Sequence, residues 1–169
     1  QAGAIANSNT PAQGGLNGTL MIELSGTGGG TGLYFVGQVG SELTVRGLVI
    51  NRFSNLVFDQ GNGSVIVEGS YLGTDVAGAA VPSPVDIGVQ LQVTLSDRIG
   101  GLLPQHRNLI SGAGAGLSSA AIQAQIAANC SSVIQGNLIG TDRTGTLALA
   151  SRTGIRLSRS EVPPGADGL

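Results

Sequence analysis

The sequence predicts an all-β fold, a parallel β-helix in which three short strands make each coil. Three observations carry that reading. Residues 66–78, IVEGSYLGTDVAG, return as residues 133–145, VIQGNLIGTDRTG, so that Gly69, Gly73, Thr74, Asp75 and Gly78 recur as Gly136, Gly140, Thr141, Asp142 and Gly145. An internal repeat of this kind decides the architecture before any local propensity does. Leu56, Val89, Ile122 and Ile155 follow one another at a constant spacing of 33 residues. Finally, Val89-Gln90-Leu91-Gln92-Val93 and Ile122-Gln123-Ala124-Gln125-Ile126 alternate apolar with polar, the period-2 pattern of a strand with one buried face.

Composition agrees. With 169 residues and 41 % hydrophobic residues the chain can build a real core, and it is not disordered by composition. Only 11 % of residues are charged and 29 are Gly, a balance suited to short strands joined by many turns. A net charge of −2 gives no electrostatic basis for binding nucleic acid or an anionic membrane. No apolar run is long enough to span a bilayer. Cys130 is the single cysteine, so no internal disulfide forms and the redox compartment stays open. The chain opens at Gln1 without Met or an apolar signal segment and reads as a mature product or a fragment.

In chain order, residues 1–18 are small, polar and rich in breakers, an irregular leader. Residues 19–24, TLMIEL, read as a strand and residues 25–32, SGTGGGTG, as a turn. A phosphate-binding reading of that turn lacks the Lys-Ser/Thr continuation and the following helix. The β-helix proper is expected over residues 19–162, in about five to six coils on the repeat spacing, with residues 163–169 a truncated coil or tail. Three rows of strand positions run through it. The first is Val45-Arg46-Gly47, Val67-Glu68-Gly69, Ile99-Gly100-Gly101 and Ile134-Gln135-Gly136. The second is Val49-Ile50, Tyr71-Leu72, Leu109-Ile110 and Leu138-Ile139. The third is Leu56-Val57-Phe58, Val89-Gln90-Leu91, Ile122-Gln123-Ala124 and Ile155-Arg156-Leu157. Residues 117–128 have a helix-friendly composition, but Ile122, Ala124 and Ile126 alternate as in a strand. Ile122 and Ile155 are expected in the core. The turn-rich segments 76–86, 102–106, 113–120 and 143–153 map to the corners, where solenoids carry their binding loops.

These blocks resemble the right-handed parallel β-helix repeats of large extracellular bacterial proteins, of the pectate-lyase-like β-helix superfamily. The family pattern Gln-Gly-Asn-x-Ile-Gly-Thr-Asp stands here at residues 135–142, its Ile-Gly-Gly at residues 99–101, and its Arg-Asn-Leu-Ile-Ser-Gly at residues 107–112. Residues 44–51, TVRGLVIN, are similar to a first coil, and Gln1-Ala2-Gly3 to a Gln-Pro-Gly lead-in without the Pro. The resemblance covers roughly residues 20–160 and implies right-handedness and an extracellular or cell-surface location. The copies also differ. Ser70 stands where Asn137 stands, and Ser111-Gly112-Ala113 replaces a Gly-Thr-Asp corner, which predicts a break in any Asn or Asp ladder.

For chemistry, Asp75 and Asp142 occupy equivalent corners two coils apart, roughly 10 Å along the axis at ~4.8 Å per coil. An inverting glycosidase places its carboxyls ~6.5–9.5 Å apart and a retaining one ~5–5.5 Å. The catalytic reading therefore stands beside a plainer one, in which each Asp closes its own turn by accepting backbone N–H groups. β-Helix enzymes acting on pectin would imply an Asp cluster with an Arg or Lys base, or a Gly-His-Gly segment, and neither is present. His106, the single histidine, reads as a solvated loop side chain without a metal-ligand spacing, and Cys130 as a small, partly buried residue without a neighbour to activate it. Arg46 and Glu68 stand at equivalent outward positions on adjacent coils, where they can pair. No cofactor and no metal are expected. Two functions follow. One is a non-catalytic secreted or surface scaffold, an adhesin-like segment that presents corner loops to a polysaccharide or other surface ligand. The other is a polysaccharide lyase or glycosidase. The absence of Trp and of a catalytic constellation favours the first. An open last coil further implies end-to-end pairing of chains.

Overall fold

The computed structural model describes residues 2–94, 96–126 and 130–159. The strands, in chain order, are β1 (Ile22–Ser25), β2 (Thr31–Phe35), β3 (Glu42–Arg46), β4 (Leu48–Asn51), β5 (Asn55–Asp59), β6 (Ser64–Glu68), β7 (Tyr71–Leu72), β8 (Ile87–Thr94), β9 (Arg98–Gly100), β10 (Leu109–Ile110), β11 (Ala120–Ile126), β12 (Val133–Gln135), β13 (Leu138–Ile139) and β14 (Ile155–Arg159). Helical structure among the described residues is confined to two short 3-10 turns, Pro11–Gln13 and Pro104–His106. No helix of the described residues is long and apolar enough to cross a membrane.

The strands form three parallel sheets, ordered β1-β4-β7-β10-β13, β2-β5-β8-β11-β14 and β3-β6-β9-β12, and the chain visits them in strict rotation. This arrangement is compatible with a parallel β-solenoid. Every strand stacks on the strand one circuit earlier, so the side chains form columns. Val45, Val67, Ile99 and Ile134 make one column, and Val57, Val89, Ile122 and Ile155 make another. The first three residues of each column are buried. The repeated glycines mark the corners. Gly69, Gly73 and Gly78 have φ of +57°, +88° and +62°, and their copies Gly136, Gly140 and Gly145 have +71°, +74° and +76°. Only glycine adopts that region without steric cost, so the repeat is a repeat of turns.

Four expectations need correction. First, Val57, not Leu56, pairs with Val89, which moves the start of the third row by one residue. The run Leu56-Val57-Phe58 is apolar throughout, so its pattern does not fix register. Asp59 rather than Phe58 then falls in the inward column Phe35, Asp59, Leu91, Ala124, Leu157. Second, Ile155 is 45 % exposed, because no described strand covers the far side of β14. Third, the side-chain ladder is not broken at Ser70. Asn108 donates to Asn137 Oδ1 (2.9 Å) and to Val67 O (2.9 Å), Ser70 N donates to Asn108 Oδ1 (2.9 Å), and the Ser70 hydroxyl accepts from Leu48 N (3.3 Å). A serine can take an asparagine's place because the ladder needs only one acceptor at that step.

Fourth, the leader is a strap. Each residue pair of the second row turns one residue inward and one outward. Ile50, Leu72 and Ile110 join the main core, while Val49, Tyr71 and Leu109 join a second cluster with Leu16 of the leader and the half-buried Leu20 and Leu138. The β4-β7-β10 sheet is therefore apolar on both faces, and the leader covers the outer one. Residues 163–169, read above as a truncated coil or tail, lie outside the described residues.

Asp59 is the exception in the core. It is fully buried, and its Oδ1 accepts from Gly61 N at 3.0 Å while Oδ2 has no partner. Burial raises its carboxyl from 3.8 to about 6, against the pull of the Gly61 N–H and with a further push from Asp97. A raised carboxyl binds its proton more tightly in the folded chain, so the parent loses stability as pH rises from 4 to 6. In paired denaturant titrations, the advantage of Asp59→Asn over the parent is expected to be about 3 kcal/mol larger at pH 7 than at pH 3.5. A difference that does not change with pH would refute this placement of Asp59.

Candidate functional site

The outer face of the β3-β6-β9-β12 sheet carries the densest group of charges. Arg46 of β3 and Glu68 of β6 are register partners and form an ion pair. Glu68 has no exposed side-chain surface, whereas the Arg46 side chain is largely in water. Arg98 reaches the same carboxylate from β9, with Nη1 2.8 Å from Glu68 Oε2, and also donates to Gly100 O at 3.0 Å. Gly100 follows Ile99, the partner of Val67, so the next place in the Arg46–Glu68 column has no side chain.

His106 completes the group. The 3-10 turn Pro104–His106 folds back over β6, and the His106 carbonyl accepts from Gly69 N at 3.2 Å. His106 Nε2 then lies 3.6 Å from Glu68 Oε2. Gly101 makes room for the ring, since a Cβ there would stand 2.8 Å from His106 Cβ and Nδ1. His106 is thus mostly enclosed beside a carboxylate, not a solvated loop residue. Burial pushes the Glu68 carboxyl up, but hydrogen bonds from Arg98 and Arg46 and the charges of His106 and Arg46 outweigh it. The net result holds the carboxyl below its ordinary 4.5. Two guanidiniums thus flank the one buried carboxylate of this group.

Beside the group lies a cavity of about 470 Å³, between the strap and the sheet. Arg46, Gly47, Gly69, Tyr71, Gln105 and Arg107 form its inner wall, and Ile5, Leu16 and Leu20 contribute to the outer one. Arg107 holds the two walls together. Its Nη1 donates to Asn9 O and Gly14 O, both at 2.9 Å, and its Nε donates to Gly136 O at 3.0 Å. Asn7 Nδ2 donates to Pro104 O at 2.7 Å and the Tyr71 hydroxyl to Gly18 O at 3.3 Å. Glu68, Arg98 and His106 lie outside the lining of this cavity, which Arg46 alone of the group reaches.

Asp75 and Asp142 occupy matching corners. Asp75 Oδ1 accepts from Ala79 N (2.8 Å) and Ala80 N (3.3 Å). Asp142 Oδ1 accepts from Thr146 N and Leu147 N, both at 3.1 Å, and the Thr144 hydroxyl donates to Oδ1 and Oδ2, both at 2.8 Å. The Leu147 N–H leads the groups that hold the Asp142 carboxyl below its ordinary range, with burial opposing them. The two turns touch, because Arg143 N donates to Gly78 O at 2.7 Å. Cys130 is half-buried at the end of the stack, near Asp97 and Ser132. Among the described residues no three of His, Cys, Asp and Glu stand close enough to hold a metal ion.

The row alignment alone brings Arg46 to Glu68. It misses Arg98, which is the register partner of Ile66 and reaches Glu68 diagonally from β9, and His106, whose approach depends on how the 102–106 segment folds back. The signal at hand is Gly100-Gly101, two residues without side chains directly beyond Glu68. Because Glu68 is held ionised, its contribution is present above about pH 4.5 and is lost as pH falls through its lowered folded value. Glu68→Gln is expected to cost about 2 kcal/mol at pH 7, with the difference from the parent shrinking below pH 4. Equal stability of the two chains at pH 7 would show that the ion pairs contribute nothing.

Comparison of the chain with protein-family models, with curated proteins and with solved structures finds no match, so the functional reading rests on the geometry of the chain alone.

Proposed function

We propose that this chain is a right-handed parallel β-helix of three strands per coil, about five to six coils by its repeat spacing. It acts as a non-catalytic scaffold or adhesin-like segment, extracellular or on a cell surface, that presents its corner loops to a polysaccharide or other surface ligand. The strict rotation of the chain among three sheets supports the coil. The observation that carries the function is at the corners. Asp75 and Asp142 each direct their acceptors into their own turns, and the two turns pack on one another through Arg143 N and Gly78 O. The result is a stiff, stacked loop face. A groove of about 500 Å³ runs along it, lined by Ala79, Val81, Pro84, Ala148 and Leu149 among others. A groove with small apolar walls suits recognition better than proton transfer.

A polysaccharide lyase or glycosidase is the second reading, favoured by one observation, the placement of His106 3.6 Å from Glu68 beside a cavity. Assays for new reducing ends or unsaturated products on a panel of polysaccharides separate the two. The parent and the Asp75→Asn/Asp142→Asn pair are expected to be indistinguishable from buffer, while the parent binds at least one polysaccharide or surface and Ala148→Asp, at an exposed position in the groove, weakens that binding about tenfold or more. Cleavage by the parent that is lost in the Asp pair or in Glu68→Gln would replace the scaffold by an enzyme.

A further inference from the structure

We propose that the cavity between the strap and the sheet binds a small organic anion, a carboxylate on an aliphatic body, with Arg107 as its charge partner. Arg107 is only 5 % exposed. Its Nη1 donates to Asn9 O and Gly14 O and its Nε to Gly136 O. Those carbonyls are dipoles and bring no negative charge. No described carboxylate stands within ion-pair distance of the guanidinium. Burial pulls it below its ordinary value, and no neighbouring charge offsets that pull. Its Nη2 has no acceptor among the described residues, yet it is not one of the sealed polar atoms. A buried cation without a counter-ion is costly, and a carboxylate is the anion that the flat guanidinium fork fits well.

The space beside Arg107 has the size and the walls for such a ligand. It measures about 470 Å³, within the range of pockets that take small organic molecules. Ile5, Leu16 and Leu20 make it apolar on one side, and the Tyr71 ring lies on the other with its hydroxyl already spent on Gly18 O at 3.3 Å. Arg46 and Arg107 are the charged residues of the lining, and no carboxylate joins them. Glu68, which pairs with Arg46, lies outside the lining and has no exposed side-chain surface. The lining thus asks for one negative group and an apolar body. A sugar acid matches the first demand only, since its hydroxyls would face aliphatic walls.

The walls are also built in advance. Ile5 and Thr19 exchange both of their backbone hydrogen bonds, at 2.9 and 2.8 Å, and Leu16 N donates to Arg143 O at 2.6 Å. The strap is therefore closed on itself and pinned to the stack, and a ligand need not order it. The aliphatic body would lie against Leu16 and Tyr71, members of the second apolar cluster. The Arg46 side chain, largely in water, would add a second positive charge at the rim. This site is separate from the corner groove and does not depend on the function proposed for it.

The test is isothermal titration calorimetry with octanoate, octanol and glucuronate as probes. The parent is expected to bind octanoate at a single site, octanol about tenfold more weakly for want of the charge, and glucuronate more weakly still. Ala4→Phe, which puts a ring into the lining, is expected to abolish octanoate binding. Arg107→Lys keeps the charge but loses the fork, and is expected to weaken it about tenfold. Arg46→Gln, at an exposed position, is expected to weaken it about threefold. Circular dichroism verifies the strand signal of each variant. Should Arg107→Lys lose that signal, Ala4→Phe and Arg46→Gln decide, since neither residue makes the bonds that hold the strap through Arg107. A parent that takes up no octanoate at millimolar concentration would overturn the proposal. So would octanol or glucuronate binding as tightly as octanoate, or a folded Ala4→Phe that binds octanoate like the parent.

Discussion

The constraint on which the structure depends is that each strand lies directly on the one a circuit earlier. Parallel stacking satisfies the backbone of both strands and at the same time places equivalent residues in vertical columns. One choice of residue is therefore repeated at every level. Where a column faces inward it must be apolar at each step, as in Val45, Val67, Ile99 and Ile134. Where the chain turns, the corner must recur, and glycines at positive φ recur with it. The low charge and high glycine content follow from those two demands.

Polar groups inside such a stack are tolerated when each finds a partner at the next level. The Asn137–Asn108–Ser70 series does so, each side chain bonding its neighbour or a backbone group. Asp97 is similar, with Val65 N on one oxygen at 2.7 Å and the Ser132 hydroxyl on the other at 3.3 Å. Asp59 is not, since one of its oxygens has no partner at all. A buried carboxyl in that position favours its neutral form, and the core at that level is tied to pH. Glu68 shows the opposite solution, a buried carboxylate kept charged by two guanidiniums.

The all-β character and most of the columns were legible in the sequence, because a repeated corner and a period-2 strand leave marks that composition cannot hide. The strand at residues 120–126 was legible for the same reason, despite a composition that suits a helix. Three things were not. The register of β5 was hidden by a run of three apolar residues that reads equally well one step either way. The strap was hidden because residues 1–18 have no periodicity of their own; its signal lay elsewhere, in the second row, where both residues of Val49-Ile50, Leu109-Ile110 and Leu138-Ile139 are apolar and a sheet with one wet face would need only one. The His106–Glu68 approach was hidden because it depends on a turn that brings together residues 38 apart, and no local pattern encodes that. For the candidate site, then, the sequence carried the Arg46–Glu68 pair and the two Asp corners but not the enclosure around them.

The stacking register is the claim from which the columns and the buried Asp59 both follow. It is tested most directly by oxidative cross-linking of cysteine pairs across β5 and β8 in a Cys130→Ser background. Phe58 and Gln90 are outward partners, and side by side on parallel strands they meet the spacing that a disulfide needs. The account predicts rapid and near-complete cross-linking of Phe58→Cys with Gln90→Cys and little for Val57→Cys with Gln90→Cys. Cross-linking of the second pair in preference to the first would place β5 one residue away and contradict it.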